Sequence, residues 1–168
     1  LDGNENYPDV ESLHSLWDRI AGDRFMERMI VLEQPLHRDV ALSDKTARAF
    51  KAWTELPPMI IDESDDQLDS ARRALAAGYV GTSYKSCKGV FKGIGNACLM
   101  ASRSAVITAE DLSTVGPVSL MQDLAVVASL GIPHVERNGH HYFRGLAAFP
   151  PAVQQQVLAA HGDLYQDR

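Results

Sequence analysis

The sequence predicts an α/β protein built on a parallel β-sheet, either open or closed into a barrel. Three observations lead to this fold class. Short apolar, β-branched runs alternate with amphipathic helical patterns, and this alternation repeats about every 25–30 residues. The apolar runs are nearly continuous, which is typical of parallel strands covered on both faces. The 168-residue chain is 45% hydrophobic, so we expect residues 1–168 to form one domain with its own core.

The strands and helices are predicted from the spacing of apolar residues. The predicted strands are Arg28–Leu32, Met59–Ile61, Tyr79–Ser83, Ala105–Thr108 and His134–Val135. The predicted helices are Val10–Ile20, Val40–Trp53, Gln67–Ala77, Val90–Ala101, Val118–Leu130 and Pro151–His161.

Local signals mark several ends of these helices. In the first helix, Val10 and Leu13 begin a series of apolar residues at helical intervals on one face. Asp66 precedes the third helix as a candidate N-cap, and Gly78 and Gly131 follow the last turns of two others, where C-terminal glycines are common. A Gly-x-Gly pair at Gly93–Gly95 lies inside a predicted helix rather than at a strand-to-helix turn, which argues against a dinucleotide site.

Composition excludes several classes of protein. Sixteen Lys and Arg residues against 22 Asp and Glu residues leave a net charge of −6, which argues against a nucleic-acid-binding protein. No apolar run approaches the roughly 20 residues of a membrane span, so no membrane association is expected. The two cysteines, Cys87 and Cys98, form neither a disulfide framework nor a zinc site, and a cytoplasmic location is expected.

The polar residues that stand out follow predicted strands. In a parallel α/β barrel the carboxyl ends of all strands open on one face, and that face carries the active site. The strand-end residues are Asp2, Glu33, Asp62, Lys85, Glu110, Glu136, Arg137 and Asn138.

Three of these carboxylates are candidates for a metal site. Asp2, Glu33 and Asp62 are 31 and 29 residues apart, which is one βα unit each. Neighbouring strands lie about 4.8 Å apart, so carboxylates at the same level would converge and repel one another. Mg²⁺ prefers oxygen ligands and would remove this repulsion. The alternative for Asp62 is a carboxylate that caps the next helix.

Lys85 is the candidate base. If Lys85 points into a barrel, strand alternation places Ser83 and Cys87 on the same face. A neighbouring divalent cation disfavours the charged ammonium, so the amine could accept a proton near neutral pH. The alternative is a surface lysine.

An ordered set of motifs resembles the enolase superfamily, and most closely the mandelate racemase/muconate lactonizing enzyme group. The matched runs are LDGNE, VLEQPL, MIIDES and YKSCKG, followed by AEDLSTVGPVSLMQDLAVVASLGI and HVERNGHHYFRG. The resemblance implies a modified TIM (β/α) barrel, of which this chain corresponds to about strands 3–8 without the family's capping domain.

The resemblance also implies a reaction. Family members bind Mg²⁺ through three carboxylates, which match Asp2, Glu33 and Asp62. The metal holds a substrate carboxylate, a base removes the α proton, and the resulting enediolate is racemised, epimerised, cycloisomerised or dehydrated. Lys85 matches the family's base after the sixth strand, and Glu110 lies where a second proton-transferring or substrate-orienting residue often occurs. The intact protein is therefore expected to be a Mg²⁺-dependent isomerase or lyase.

The eighth strand is expected to contact the distal part of a small carboxylate substrate. Glu136, Arg137 and Asn138 lie at its end. An arginine there could pair with a second carboxylate of the substrate. A structural salt bridge is the alternative for Arg137.

The sequence departs from the family pattern in two places. It begins at the family's third barrel strand, without the Lys-x-Lys pair of the second strand, and Val90 rather than a second glycine follows Gly89. We therefore expect a fragment whose two sheet edges favour a homo-oligomer or association with the missing strands. The alternative function is a non-catalytic fragment or pseudo-enzyme that binds only a metal or a partner chain.

Overall fold

The protein has an α/β fold of short strands and longer helices. The structure, a computed structural model, describes residues 1–111, 117–137, 142 and 144–165. The strands are β1 (Leu32–Glu33), β2 (Met59–Ile61), β3 (Gly81–Tyr84), β4 (Val106–Asp111) and β5 (Val135–Arg137). The helices are α1 (Val10–Ile20), α2 (Arg38–Ala41), α3 (Asp44–Ala52), α4 (Ser70–Ala77), α5 (Val90–Arg103), α6 (Pro117–Leu130) and α7 (Pro151–Ala160).

The five strands form one sheet in chain order, β1-β2-β3-β4-β5. The pairs β1–β2, β2–β3 and β4–β5 are parallel, and the backbone N–H of Val106 bonds to the carbonyl of Val80 at the start of β4. A doubly wound sheet reverses its strand order at a switch point, whereas a (β/α) barrel adds strands in sequence. The α/β class and the partial TIM barrel are thus confirmed.

The chain divides into two compact units. The first comprises Leu1–Tyr84 and Phe91–Ile107, and the second comprises Lys85–Val90 and Thr108–Arg168. In the first unit, helices α1, α3 and α4 pack on one face of β1 and β2. In the second unit the buried apolar side chains include Val127, Ile132, Leu146 and Val157.

The register of β1 and β2 sorts their side chains onto two faces. Leu32 pairs with Met59 and Glu33 pairs with Ile60. Paired residues of parallel strands point to the same face, and successive residues alternate. Leu32, Met59 and Ile61 belong to the apolar core, so Glu33 and Ile60 point to the opposite face.

Several strands and helices begin at residues other than those predicted from the sequence. The strand predicted at Arg28–Leu32 begins only at Leu32, because Arg24–Arg28 form a 3-10 turn. The helix predicted at Val40–Trp53 is divided, because the Ser43 hydroxyl accepts the backbone N–H of Thr46 and starts α3. Asp66 is not an N-cap, since α4 begins at Ser70.

Other local predictions are confirmed. Helix α1 has the predicted bounds, and Gly78 and Gly131 adopt the left-handed backbone at φ 113° and 63°. The pair Gly93–Gly95 lies within α5. A Cβ atom on Gly93 would overlap Cε2 of Tyr84, so this glycine lets the helix approach a buried ring.

The two cysteines do not form a disulfide. Cys87 is exposed rather than aligned with Ser83, because residues Ser86–Lys88 form a 3-10 turn that ends the strand alternation. Both Cys87 and Cys98 are free thiols. Within the described ranges, no helix combines the length and apolar character that crossing a membrane requires.

Candidate active site

Two acidic side chains meet at the carboxyl ends of β1 and β2. Glu33 is the last residue of β1 and Asp62 follows β2, two residues after the register partner of Glu33. They are only 8% and 3% exposed, and a carboxylate oxygen of each lies within 4.8 Å of one from the other. The register therefore explains why two residues so distant in sequence converge.

This pair fits a hard divalent cation. Mg²⁺ binds oxygen at about 2.0–2.1 Å, so two of its ligands lie at most about 4.2 Å apart. The carboxylate oxygens of Glu33 and Asp62 lie within 4.8 Å of each other, a range that includes this spacing. Asp62 does not cap α4, which begins eight residues later at Ser70 with Asp69 at its N-cap position. The capping alternative for Asp62 is therefore wrong, and the donor set suits a metal.

Asp2 occupies the next position across from Glu33. The two residues form an isolated parallel bridge, so the chain before α1 contributes only single bridges to the sheet. The side chain of Asp2 is exposed, and its Oδ1 accepts the backbone N–H of Asn4 at 2.9 Å. The structure thus brings Glu33 and Asp62 together without Asp2, whose metal role stays a prediction.

A buried glutamine joins the two segments that carry Glu33 and Asp62. Gln34 is fully buried, and its Oε1 accepts the backbone N–H groups of Asp62 and Ser64 at 2.8 and 3.1 Å. Its Nε2 donates to the Leu36 carbonyl and to Oγ of Ser64 at 2.7 and 2.8 Å. One amide thereby ties the end of β1 to the loop after β2.

A second buried network holds the same loop from its other side. Asp65 accepts hydrogen bonds from Thr82 on β3 and Asn96 on α5 at 3.1 and 2.9 Å. Its carboxylate also lies 3.0 Å from Nζ of Lys92. The side chain of Lys92 is only 10% exposed. A buried carboxylate needs such partners, because an unpaired buried charge is strongly unfavourable.

In the second unit, Lys85 and Glu110 form a buried ion pair. Nζ of Lys85 lies 2.9 Å from Oε2 of Glu110, and the side chains are 8% and 5% exposed. Lys85 follows β3, and Glu110 lies near the end of β4. The surface-lysine alternative is therefore wrong. The pair places an amine that can carry a proton beside a carboxylate that fixes its position.

Two neighbouring residues of β5, Glu136 and Arg137, have different surroundings. Nη1 of Arg137 forms an ion pair with the buried carboxylate of Asp123 on α6. Oδ1 of the same carboxylate accepts the hydroxyl of Ser86 at 2.8 Å. Glu136 is exposed, and Asn138 lies outside the described residues. The salt-bridge alternative for Arg137 is thus present in the structure.

Several buried polar residues were not identified from the sequence, among them Gln34, Lys92 and Asp123. Gln34 stood inside a Glu-Gln-Pro run that is too common to single it out, and Lys92 lay in a helix with no distinguishing spacing. Asp123 carried a clearer signal, because it is the one charged residue in the apolar helix PVSLMQDLAVVASL. A lone charge in an apolar helix predicts a buried partner.

The chain is similar in structure to enzymes of the mandelate racemase/muconate lactonizing type. One is a mandelate racemase/muconate lactonizing enzyme from Roseiflexus sp., with a TM-score of 0.62 and 21% identity over 83% of this chain and 38% of that chain. Another is an L-Ala-D/L-Glu epimerase, with a TM-score of 0.62 and 17% identity over 85% of this chain and 41% of that chain.

A third similar structure is a dipeptide epimerase from Cytophaga hutchinsonii, complexed with Mg and the dipeptide D-Ala-L-Val. It has a TM-score of 0.62 and 14% identity over 86% of this chain and 38% of that chain. No protein-family model and no curated protein matches the sequence. The chain therefore has the fold of part of these enzymes' structures and spans about 40% of their length.

Proposed function

We propose that this chain carries the metal and base residues of an enolase-superfamily enzyme. The reaction is Mg²⁺-dependent removal of the proton α to a substrate carboxylate, leading to an isomerase or lyase product. The observation that carries the proposal is the convergence of the buried carboxylates of Glu33 and Asp62 at two neighbouring strand ends. Like charges that approach so closely in a buried position favour a bound cation.

The proposed roles follow from the residues described. Glu33 and Asp62 would hold Mg²⁺, with Asp2 as the proposed third ligand. Mg²⁺ bound there would supply positive charge for the substrate carboxylate and for the negative charge that develops as the α proton leaves. Nζ of Lys85, in its neutral form, takes the α proton. The ion pair with Glu110 holds Nζ in place.

The substrate is proposed to be a small carboxylate, and dipeptides are the first class to examine. Two of the similar structures are epimerases named for dipeptides. Glu136 is exposed and could contact a polar group of such a ligand, and Asn138 follows it closely in sequence. Arg137 contributes to this binding only if it leaves Asp123.

Calorimetric titration of Mg²⁺ into the 168-residue chain tests the metal site. We expect saturable binding that is lost in Asp62→Asn, because the amide removes a charged ligand. Asp18→Asn is the control, since Asp18 is an exposed acid on α1, and it should bind as the unmodified chain does. Equal binding by all three proteins, or none by the unmodified chain, contradicts the proposed site.

Exchange of the α proton tests the chemistry. In D₂O with Mg²⁺, proton NMR of a dipeptide panel should show loss of the α-proton signal. Lys85→Met should slow this exchange by about 10²–10⁴-fold, as expected when a general base is removed. Lys45→Met, at an exposed site on α3, should leave the rate unchanged.

The second candidate function is the binding of a metal or a partner chain without catalysis. It is favoured by the buried contact of Lys85 with Glu110, which already engages the amine that the catalytic proposal needs as a base. Saturable Mg²⁺ binding with no α-proton exchange for any dipeptide or other small carboxylate would support this candidate. Exchange that depends on Lys85 would exclude it.

A further inference from the structure

We infer that Gln34 is a positioning residue for the metal site, an inference that rests on the proposed function. Its side chain fixes the loop that carries Asp62 against the strand end that carries Glu33. Removing its amide should therefore weaken Mg²⁺ binding although Gln34 is not itself a ligand.

The hydrogen bonds of Gln34 carry this inference. A glutamine amide has two N–H donors and an oxygen that accepts two hydrogen bonds. In this structure all four are used, by Leu36, Asp62 and twice by Ser64. Two of the four partners are backbone N–H groups in the Asp62–Ser64 segment. The amide thus determines where the backbone of Asp62 lies.

The position of Gln34 in the sequence couples its hydrogen bonds to the position of Glu33. It follows Glu33 directly, so a shift of its backbone would move the first carboxylate as well. Gln34 has φ 31°, in the left-handed region that non-glycine residues rarely adopt. Such backbone strain persists only where surrounding contacts fix it. Here the contacts that fix it include those that reach the Asp62 loop.

Removal of the amide leaves the loop without its side-chain hydrogen bonds to the end of β1, while the Asp65 network still holds it. Gln34→Met keeps a side chain of similar length but removes all four hydrogen bonds. The backbone N–H groups of Asp62 and Ser64 then lose their acceptor, and the two carboxylates are no longer held at a fixed separation. Residues that orient metal ligands typically contribute 10–100-fold to metal affinity.

Two variants complete the design. Gln34→Glu keeps an oxygen that can accept both backbone N–H groups but loses the donor to the Leu36 carbonyl, so it should preserve the hold on Asp62 without the bond to Leu36. Thr46→Val is the control for general loss of stability. Thr46 is buried in the same unit, and its hydroxyl bonds to the Val40 carbonyl at 2.7 Å, but it does not contact the Asp62 loop in any hydrogen bond described.

The first measurement is amide hydrogen exchange by NMR, which needs no metal. Gln34→Met should speed exchange at Asp62 and Ser64 by about tenfold or more relative to Thr46→Val. Gln34→Glu should keep both amides protected. Unchanged protection in Gln34→Met would overturn the inference, whether or not the protein binds Mg²⁺.

The second measurement is Mg²⁺ affinity of the folded variants by calorimetry. We expect the dissociation constant to rise about 10–100-fold in Gln34→Met, with no weakening in Thr46→Val or Gln34→Glu. Faster amide exchange without weaker Mg²⁺ binding would overturn the inference and leave the proposed function intact. If the unmodified chain binds no Mg²⁺, the proposed function fails, and Gln34 serves only to order the loop.

Discussion

At the scale of residues, the buried contact between Lys85 and Glu110 is the feature with the largest expected energetic consequence. Lys85 and Glu110 are each nearly enclosed, and the 2.9 Å contact between them compensates part of the cost of burying both charges. Such a pair adds little net stability relative to apolar residues, but removal of one member leaves a buried charge. We therefore regard the pair as a functional feature that the fold tolerates.

A double-mutant cycle measures the coupling within this pair. Lys85→Met and Glu110→Gln should each lower the free energy of unfolding, by about 3 kcal/mol where the remaining charge stays buried. The double variant should be more stable than the sum of the two losses predicts, with a coupling energy of about 1–3 kcal/mol. Urea denaturation measures all four proteins, and strictly additive losses would show that the two side chains do not stabilise each other.

A second ion pair makes stability depend on pH. Glu5 accepts Nε and Nη2 of Arg38 at 2.8 and 2.6 Å, and the hydrogen bond from the guanidinium lowers the pKa of Glu5. A lowered folded-state pKa means that the stabilisation is fully present above the unfolded pKa of about 4.3 and disappears as the pH falls through the folded value.

The pH prediction can be checked with Glu5→Gln. Because Arg38 is half exposed, the loss at pH 7 should be below about 1 kcal/mol. The melting temperatures of Glu5→Gln and the unmodified chain should differ at pH 6–8 and converge below about pH 4. A difference that does not shrink as the pH falls from 6 to 3 would mean that packing, rather than the charge, accounts for the effect.

At the scale of elements, close approaches between a helix and a strand depend on small residues. Gly93 lies on the face of α5 that meets the Tyr84 ring. Gly95 in the same helix is exposed, and a methyl group added there would have no neighbouring atom within 4 Å. The two glycines therefore have opposite consequences for packing although they are two residues apart.

Alanine substitution separates the two glycines. Gly93→Ala should destabilise the protein by about 1–3 kcal/mol, because the Tyr84 ring must move. Gly95→Ala should stabilise it by about 0.5–1 kcal/mol, since alanine favours a helix and nothing obstructs the methyl group. Chemical denaturation tests both, and a stabilising Gly93→Ala would show that Tyr84 moves aside without cost.

At the scale of the whole molecule, the order of the sheet leaves terminal strands at both ends. In the described part of the chain, β5 has a strand neighbour only at β4, and on its outer side β1 meets a single bridge from Asp2, with Tyr7 bridging Leu36 just beyond the strand. Unpaired strand edges favour pairing with another chain. We propose that these edges support a homo-oligomer or association with further barrel strands.

Sedimentation velocity at several concentrations tests association through the edges. The unmodified chain should sediment above its 18.4 kDa monomer mass as concentration rises. Val135→Lys places a charge on β5 at a partly exposed position and should shift the distribution toward monomer, because edge lysines oppose strand pairing. A monomer at every concentration, or association unaffected by the substitution, contradicts this proposal.

The predictions from sequence succeeded where one periodic pattern dominated. Helix α1 and strand β2 have the predicted bounds, because apolar spacing and turn residues act locally there. The strand near Leu32 and helix α4 begin later than predicted because of the 3-10 turn at Arg24–Arg28 and the hydrogen bond from Ser70 to Asp66, and the hydrogen bond at Ser43 divides the helix predicted at Val40–Trp53. These local hydrogen bonds decide where an element begins, and the spacing of apolar residues along the sequence does not reveal them.

The sequence alone determined the α/β class, the order of strands and helices, and the strand-end positions of Glu33, Asp62, Lys85 and Glu110. These follow from repeated apolar patterns and from the chain direction of parallel strands. Tertiary structure decided which of these residues meet. The register of β1 and β2 places Glu33 close to Asp62. Lys85 and Glu110 form a buried ion pair, and Arg137 forms an ion pair with Asp123. Each of these outcomes depends on distances between residues far apart in sequence, which spacing along the chain does not specify.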